Sequence, residues 1–227
     1  MRTVVLFSGG LDSTTALALA LARGDEVFPL TIAYGQRHAV EARAAARSLE
    51  KYRLTDRART VTIDLSFLRS SSLLNRDLAV PDRPGTGIPD TYVPARNLLF
   101  LSLAATYAED IGAERIVIGV NALDYSGYPD CRPVFVEQFN RALAAGTKAG
   151  SAGAGIVVEA PLIDLTKKQI IQLGHGLGVD YALTHSCYDP DGEGRACGRC
   201  DSCRLRMKGF AEAGLVDPVP YASRPTD

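Results

Sequence analysis

Residues 6–22, LFSGGLDSTTALALALA, constrain this chain more than any other stretch. The apolar run at 4–7 predicts a buried strand, Ser8-Gly9-Gly10 breaks it, and 14–22 carries the apolar pattern of a helix. Glycines at a strand-to-helix turn let backbone N–H groups approach an anion closely, at the positive end of a helix. Ser8, Ser13 and Thr14 add hydroxyl donors. In purely structural terms Gly9-Gly10 make a tight turn and Asp12 or Ser13 caps the helix; a phosphate site is compatible with that. The lysine of G-x-x-x-x-G-K-[ST] is missing, so nothing here clamps a β/γ-phosphate pair in the kinase manner.

SGGLDST resembles the S-G-G-x-D-S signature of the PP-loop ATP pyrophosphatases. The resemblance implies that Phe7, Ser8, Gly9, Gly10, Leu11, Asp12, Ser13, Thr14 and Thr15 hold the β,γ-pyrophosphate of ATP. A substrate oxygen then attacks the α-phosphate, giving an adenylate and pyrophosphate. Mg²⁺ is expected with ATP, and Asp12 is the candidate for its sphere.

The remaining chain reads as repeated strand–helix units. Strands are expected at 4–7, 27–33, 60–63, 116–119 and 156–160, and helices at 13–23, 40–51, 97–111, 135–143, 165–177 and 201–213. Such alternation predicts an open, doubly wound parallel α/β sheet of the Rossmann-like, adenine nucleotide α-hydrolase type, as a single domain over 1–227. Residues 70–94 carry four prolines and no clean periodicity, which marks a long functional or disordered loop. The Gly/Ala-rich stretch 144–155 is expected to be mobile. A formal net charge of −1 leaves no footprint for bulk nucleic-acid binding. No run approaches transmembrane length and no signal-peptide pattern precedes the first strand, so a cytoplasmic location and no membrane partner are expected.

The polar stretches SGGLDS, YGQRH, VPARN, NALDYSGYPDC and PLIDLTKK all follow strands. In an open parallel sheet such loops meet at one crevice beyond the strands' carboxyl ends. Arg96 at a helix mouth can take a phosphate or carboxylate bidentately, or be a surface charge beside an Asn97 cap. Tyr34, Gln36, Arg37 and His38 follow the second strand, as a polar loop or as part of the site. Tyr125, Ser126, Gly127, Tyr128 and Asp130 offer aromatic faces and a carboxylate suited to a planar amino-heterocycle; a Gly/Pro turn with surface tyrosines explains them equally well. Thr166 caps a helix whose first turn holds Lys167 and Lys168, where lysine is disfavoured unless an anion is near. Lys148 is a weaker candidate of the same kind.

Cys187, Cys197, Cys200 and Cys203 are spaced C-x9-C-x2-C-x2-C, with Cys131 apart. In a cytosolic chain this spacing indicates a metal rather than disulfides. Four thiolates close a tetrahedral zinc site with no open position, hence structural Zn²⁺; an iron–sulfur cluster is the rival.

Taken together, VVLFSGGLDSTTAL, YGQRHAVE, YVPARNLLFLSLA, GVNALDYSGYPDCRPVF, APLIDLTKKQI and CGRCDSCRLRMKGF resemble the 7-cyano-7-deazaguanine synthase family of the queuosine pathway. The resemblance covers 4–210, and the insert-like segment 189–195 is the departure from it. It implies a carbon–nitrogen ligase that adenylates a 7-carboxy-7-deazaguanine, takes up ammonia to give the amide, and adenylates the amide to leave the nitrile. Ser8, Asp12, Ser13, Arg96 and Lys167 are then the catalytic set. The loop, Tyr34 and Arg96 hold ATP, and Gln36, Arg37, His38, Tyr125, Ser126, Gly127, Tyr128, Asp130 and Lys148 are the substrate contacts. No glutamine-hydrolysing unit is visible, so ammonia arrives free or from another chain. The partners are small molecules and no nucleic acid, with a homodimer as the candidate assembly. Two other classes compete with this reading: a tRNA-modifying thiolase or lysidine-type ligase, which needs a basic appendage, and a non-catalytic nucleotide sensor.

Overall fold

The structure is a computed structural model that describes residues 1–35, 40–82, 87–121 and 127–223. Its first strand, β1 (Arg2–Leu6), is buried on both faces. Val4 and Leu6 point into one hydrophobic core, and Val5, with Phe7 just past the strand, into the other. An unbroken apolar run is what a central parallel strand needs when helices cover both sides.

From β1 the chain runs through α1 (Leu11–Ala22) to β2 (Glu26–Ala33), then through α2 (Val40–Lys51) to β3 (Arg59–Thr62). A long loop leads to α3 (Arg96–Ile111) and β4 (Arg115–Val117). After β4 come α4 (Pro133–Gly146), the one-turn α5 (Lys148–Ser151) and β5 (Val157–Glu159). α6 (Lys167–Gly176) and α7 (Asp201–Glu212) follow, with the four-cysteine segment spanning the start of α7. All pairings are parallel and the order is β3-β2-β1-β4-β5. α3 and α4 pack on the face of Val4, and α1, α2, α6 and α7 on the face of Val5. The winding reverses at β1, with β2 on one side and β4 on the other. That reversal is where an open sheet leaves a crevice at its carboxyl edge.

Two expectations need correction. The strands end earlier than the apolar runs, because Phe7 and Ile118 stay buried beyond the last ladder pair. The stretch 144–155 is helical through Ser151. Alanines carry α4 to Gly146, and Thr147 then caps α5, accepting from the Gly150 N–H at 2.9 Å while donating to the Leu143 carbonyl at 2.8 Å. No helix among the described residues is long and apolar enough to cross a membrane.

Candidate active site

Gly9 holds the turn after β1 in the left-handed region, at φ +83°, with the backbone of Ala45 in α2 directly behind it. The Ser8 hydroxyl accepts from the Gly10 N–H at 3.2 Å and lies 3.1 Å from the Ser13 hydroxyl. Ser13 in turn accepts from the Ser8 N–H at 3.3 Å and donates to the Gly10 carbonyl at 3.2 Å. The expected cap by Asp12 or Ser13 is absent: the N-cap residue is Gly10, and the help comes from far along the chain. Ser186 Oγ accepts the Leu11 N–H at 3.1 Å, and the His185 N–H donates to the Gly9 carbonyl at 3.0 Å. Ser202, in the first turn of α7, donates to the Ser186 carbonyl at 2.6 Å. The four-cysteine segment and the loop are therefore stitched together.

Asp12, in the first turn of α1, receives the Lys167 ammonium at 2.8 Å on each carboxylate oxygen. Lys167 opens α6, where Thr166 and Gln169 form a reciprocal capping box. Its stem lies against Gly209 of α7, where a Cβ would stand 2.6 Å from Lys167 Cγ. The buried lysine thus stands behind Asp12 and meets the cavity through it.

A cavity of about 390 Å³ opens beyond the carboxyl ends of β1, β2 and β4. Phe7, Ser8, Gly10, Leu11, Asp12 and Ser13 form one wall. Leu30 and Ile32 of β2 and Ala45 and Leu49 of α2 add apolar lining to the cavity. Arg96 faces the loop from the start of α3 and donates from Nη1 to the Tyr34 hydroxyl at 3.3 Å. Its guanidinium also lies 6.0 Å from the centre of the Tyr34 ring, which meets Phe100 edge-on at 5.2 Å. Burial pushes the Tyr34 hydroxyl upward, with Arg96 pulling the other way, so Tyr34 remains a phenol at neutral pH. The residue before Arg96, Ala95, has φ +53°, a conformation that costs a non-glycine residue about 1 kcal/mol. The Tyr92 hydroxyl, accepting the Ala95 N–H at 3.0 Å, helps to hold it there.

Several expected contacts lie elsewhere. Thr14 and Thr15 are fully buried and do not line the cavity; the Thr15 hydroxyl bonds the Leu11 carbonyl and the Tyr181 hydroxyl, both at 2.9 Å. Lys148 is exposed at the start of α5, between the end of α4 and the beginning of β5. That is the amino-terminal edge of the sheet, opposite the cavity. Asn97 is not the cap of α3. Its backbone N–H donates to Asp130 Oδ2 at 2.9 Å and its side chain to the Asp130 carbonyl at 3.0 Å. Asp130 is therefore a distant cap of α3 rather than a carboxylate facing a heterocycle, and it is absent from the cavity lining. Asp130→Ala is expected to cost about 1–2 kcal/mol, as other lost caps do, and to lower the melting temperature by about 2–8 °C. A thermal melt unchanged from wild type would refute the capping role. Gly127 abuts Gly87 and Pro89, and Tyr128 lines the cavity with its hydroxyl 2.6 Å from that of Thr91. Gln36, Arg37, His38, Tyr125 and Ser126 lie outside the described residues.

Residues outside the expected set also line the cavity: Glu41, Asn121, Cys131, His185, Ser186 and Tyr188. Burial, with the Asp130 charge adding to it, pushes the Cys131 thiol up to about 12, so it is a neutral wall group. Glu41 sits in the first turn of α2. Burial pushes its carboxyl up to about 7, against the pull of Arg96 and a hydrogen bond from the Ser8 hydroxyl. The hint in the sequence was its position just after the polar YGQRH stretch.

The Sγ atoms of Cys187, Cys197, Cys200 and Cys203 lie within 4.8 Å of one another. Cys197 and Cys203 are 3.9 Å apart, close to the edge of about 3.8 Å that metal–sulfur bonds of about 2.3 Å give in a tetrahedron. Backbone N–H groups of Asp189 and Cys197 donate to Cys187 Sγ, and those of Arg199 and Cys200 to Cys197 Sγ, at 3.2–3.4 Å. Such bonds orient and stabilise thiolates around an ion. The donor set fits one bound metal ion.

A family model described as "Queuosine biosynthesis protein QueC" matches residues 2–214. A Myxococcus xanthus protein named 7-cyano-7-deazaguanine synthase is 59% identical over 225 residues, 97% of each chain. A Saccharophagus degradans protein of the same name is 52% identical over 222 residues, 98% of each chain. Among solved structures, an NMN synthetase from Francisella tularensis superposes with a TM-score of 0.52 at 17% identity, over 95% of this chain and 78% of that one. Likeness at that identity speaks to the fold alone.

Proposed function

The chain belongs to the QueC family of queuosine biosynthesis, and from that premise we propose that it converts 7-carboxy-7-deazaguanine and ammonia to 7-cyano-7-deazaguanine at the expense of ATP. The observation that carries this is the convergence of the SGGLDS loop, Arg96 and an aromatic wall on one cavity. Adenylyl transfer needs little covalent help from protein groups. It needs positioning, and donors where charge develops.

In this reading Phe7, Ser8, Gly9, Gly10, Leu11 and Ser13 shape the cradle for the pyrophosphate. Arg96 takes charge from the opposite side, with Tyr34 fixing its guanidinium. Lys167 acts through its pair with Asp12. The apolar lining from Leu30, Ile32, Ala45 and Leu49 suits a nucleobase, and Tyr34, Phe100 and Tyr128 offer faces for the deazaguanine. Gln36, Arg37, His38, Tyr125, Ser126 and Gly127 complete the proposed substrate contacts.

A carboxylate oxygen attacks the α-phosphate, and pyrophosphate leaves. Ammonia adds to the acyl carbon and AMP departs with the oxygen, giving the amide. The amide oxygen attacks a second ATP, and loss of AMP leaves the nitrile. Mg²⁺ bound with ATP would neutralise phosphate charge, and Asp12 would hold it once the phosphates compete for Lys167. The four thiolates would hold Zn²⁺ in a structural role, since four protein sulfurs with no open position suit a closed tetrahedral site. Free thiol ligands and ATP use suit the reducing cytoplasm.

The test is incubation with ATP, Mg²⁺, ammonium and the acid, followed by mass spectrometry of the base and chromatography of the nucleotide. The nitrile should form with AMP and pyrophosphate as co-products. ADP as the sole nucleotide product would sink the adenylation chemistry, and an unchanged acid would sink the substrate assignment.

A further inference from the structure

The overall conversion removes all three hydrogens from the ammonia nitrogen. One leaves when the C–N bond of the amide forms and the C–O bond to AMP breaks. The other two leave as the amide oxygen is adenylated and then expelled with AMP, the nitrogen's electron pairs closing the C≡N bond. The first adenylation releases no N–H proton, because the attacking carboxylate is already ionised. A proton acceptor is therefore needed for the nitrogen steps and not for that first step.

Among the described residues lining the cavity, the acids are Asp12 and Glu41. Asp12 has both oxygens on the Lys167 ammonium. Glu41 stands at the mouth of α2 between the phosphate loop and Arg96, with its carboxyl on the Ser8 hydroxyl. From this placement we propose that Glu41 is the base that takes the N–H protons in the amide-forming and nitrile-forming steps.

The charges around it tune this role. Burial disfavours the carboxylate, Arg96 and Ser8 favour it, and the Tyr34 phenol lies in the same field. The balance leaves the group ionising at about 7, where a base can both accept a proton and release it again. Activity that needs the carboxylate is lost as the pH falls below that point and gained as it rises through it.

The proposal rests on the function argued above, and its test separates the two. The amide 7-amido-7-deazaguanine is supplied with ATP, so ammonia protonation does not enter the pH profile. Wild-type enzyme should show an acid limb near pH 7 in amide-to-nitrile turnover. Glu41→Gln should lose that limb and slow this half-reaction by about a hundredfold or more, the usual worth of a positioned base, while acid-dependent ATP–pyrophosphate exchange falls far less. Glu41→Asp keeps a carboxylate and should keep the limb at a lower rate, which decides the matter if the Gln variant does not fold. A limb that persists in Glu41→Gln, a limb lost in Glu41→Asp, or an equal fall in both half-reactions overturns the assignment. Wild-type enzyme that makes no nitrile from acid or amide overturns the parent function instead.

Discussion

Cys200→Ser is expected to leave a protein that does not hold its fold, rather than a folded enzyme with altered kinetics. Cys200 is fully buried in a small core with Ala196, Cys197, Cys203 and Val219, which has few apolar groups to sustain it without the metal. Structural zinc on thiolates supplies on the order of 10 kcal/mol of folding free energy, against a total domain stability of only about 5–15 kcal/mol. The damage should also spread. His185 and Ser186 directly precede Cys187 and are the residues that grip Gly9 and Leu11. Elemental analysis of the wild type should find one zinc per chain, and the variant should be insoluble or melt without a cooperative transition. Iron with inorganic sulfide in place of zinc would overturn the structural-zinc assignment. A variant that melts like wild type with its metal in place would show that Cys200 is not a ligand.

Gly9→Ala is expected to cut ATP use by about a hundredfold or more, although it adds only a methyl group. The added Cβ would sit 2.5 Å from the Ala45 nitrogen and 2.7 Å from its Cα, closer than real Cβ atoms come, and at φ +83°. Neither contact is with a flexible side-chain end, so the loop or α2 must move. A misplacement of about 1 Å at a reacting centre can cost about a hundredfold in rate, and both Ser8 and Glu41 move with those two elements. Gly24→Ala is the control. It has a similar φ of +77° with nothing within 4 Å of the added carbon, so it should cost about 1 kcal/mol of stability with turnover kept. Steady-state kinetics and thermal melts of the pair decide it. Equal activity in the two variants would show that the loop does not need its close approach to α2.

The parts of this protein legible from sequence are those in which the chemistry is local. An apolar run at 4–7 bounded by Ser8-Gly9-Gly10 reads as a buried strand running into a turn, and the strand found there ends one residue earlier, at Leu6. The cysteines announce a metal because three of the four ligands fall within seven residues. Alternating strands and helices imply a parallel sheet, and a parallel sheet implies a crevice at its carboxyl edge.

What tertiary structure alone decided is which distant group meets which. Asp130 has the composition of a substrate ligand, yet its carboxylate goes to the Asn97 N–H, an orphan donor that a helix must satisfy once its start is buried. Lys148 has the composition of an anion contact, yet the α4–β5 connection carries it to the wrong edge of the sheet. Lys167 meets Asp12 across 155 positions of sequence, and Ser186 meets Leu11 across 175. Glu41 looks like any solvated first-turn glutamate until α2 folds over the phosphate loop. Periodicity states which face of an element is buried. It carries no information about which remote segment is pressed against that face, because this depends on the strand order and on the path of the loops between strands.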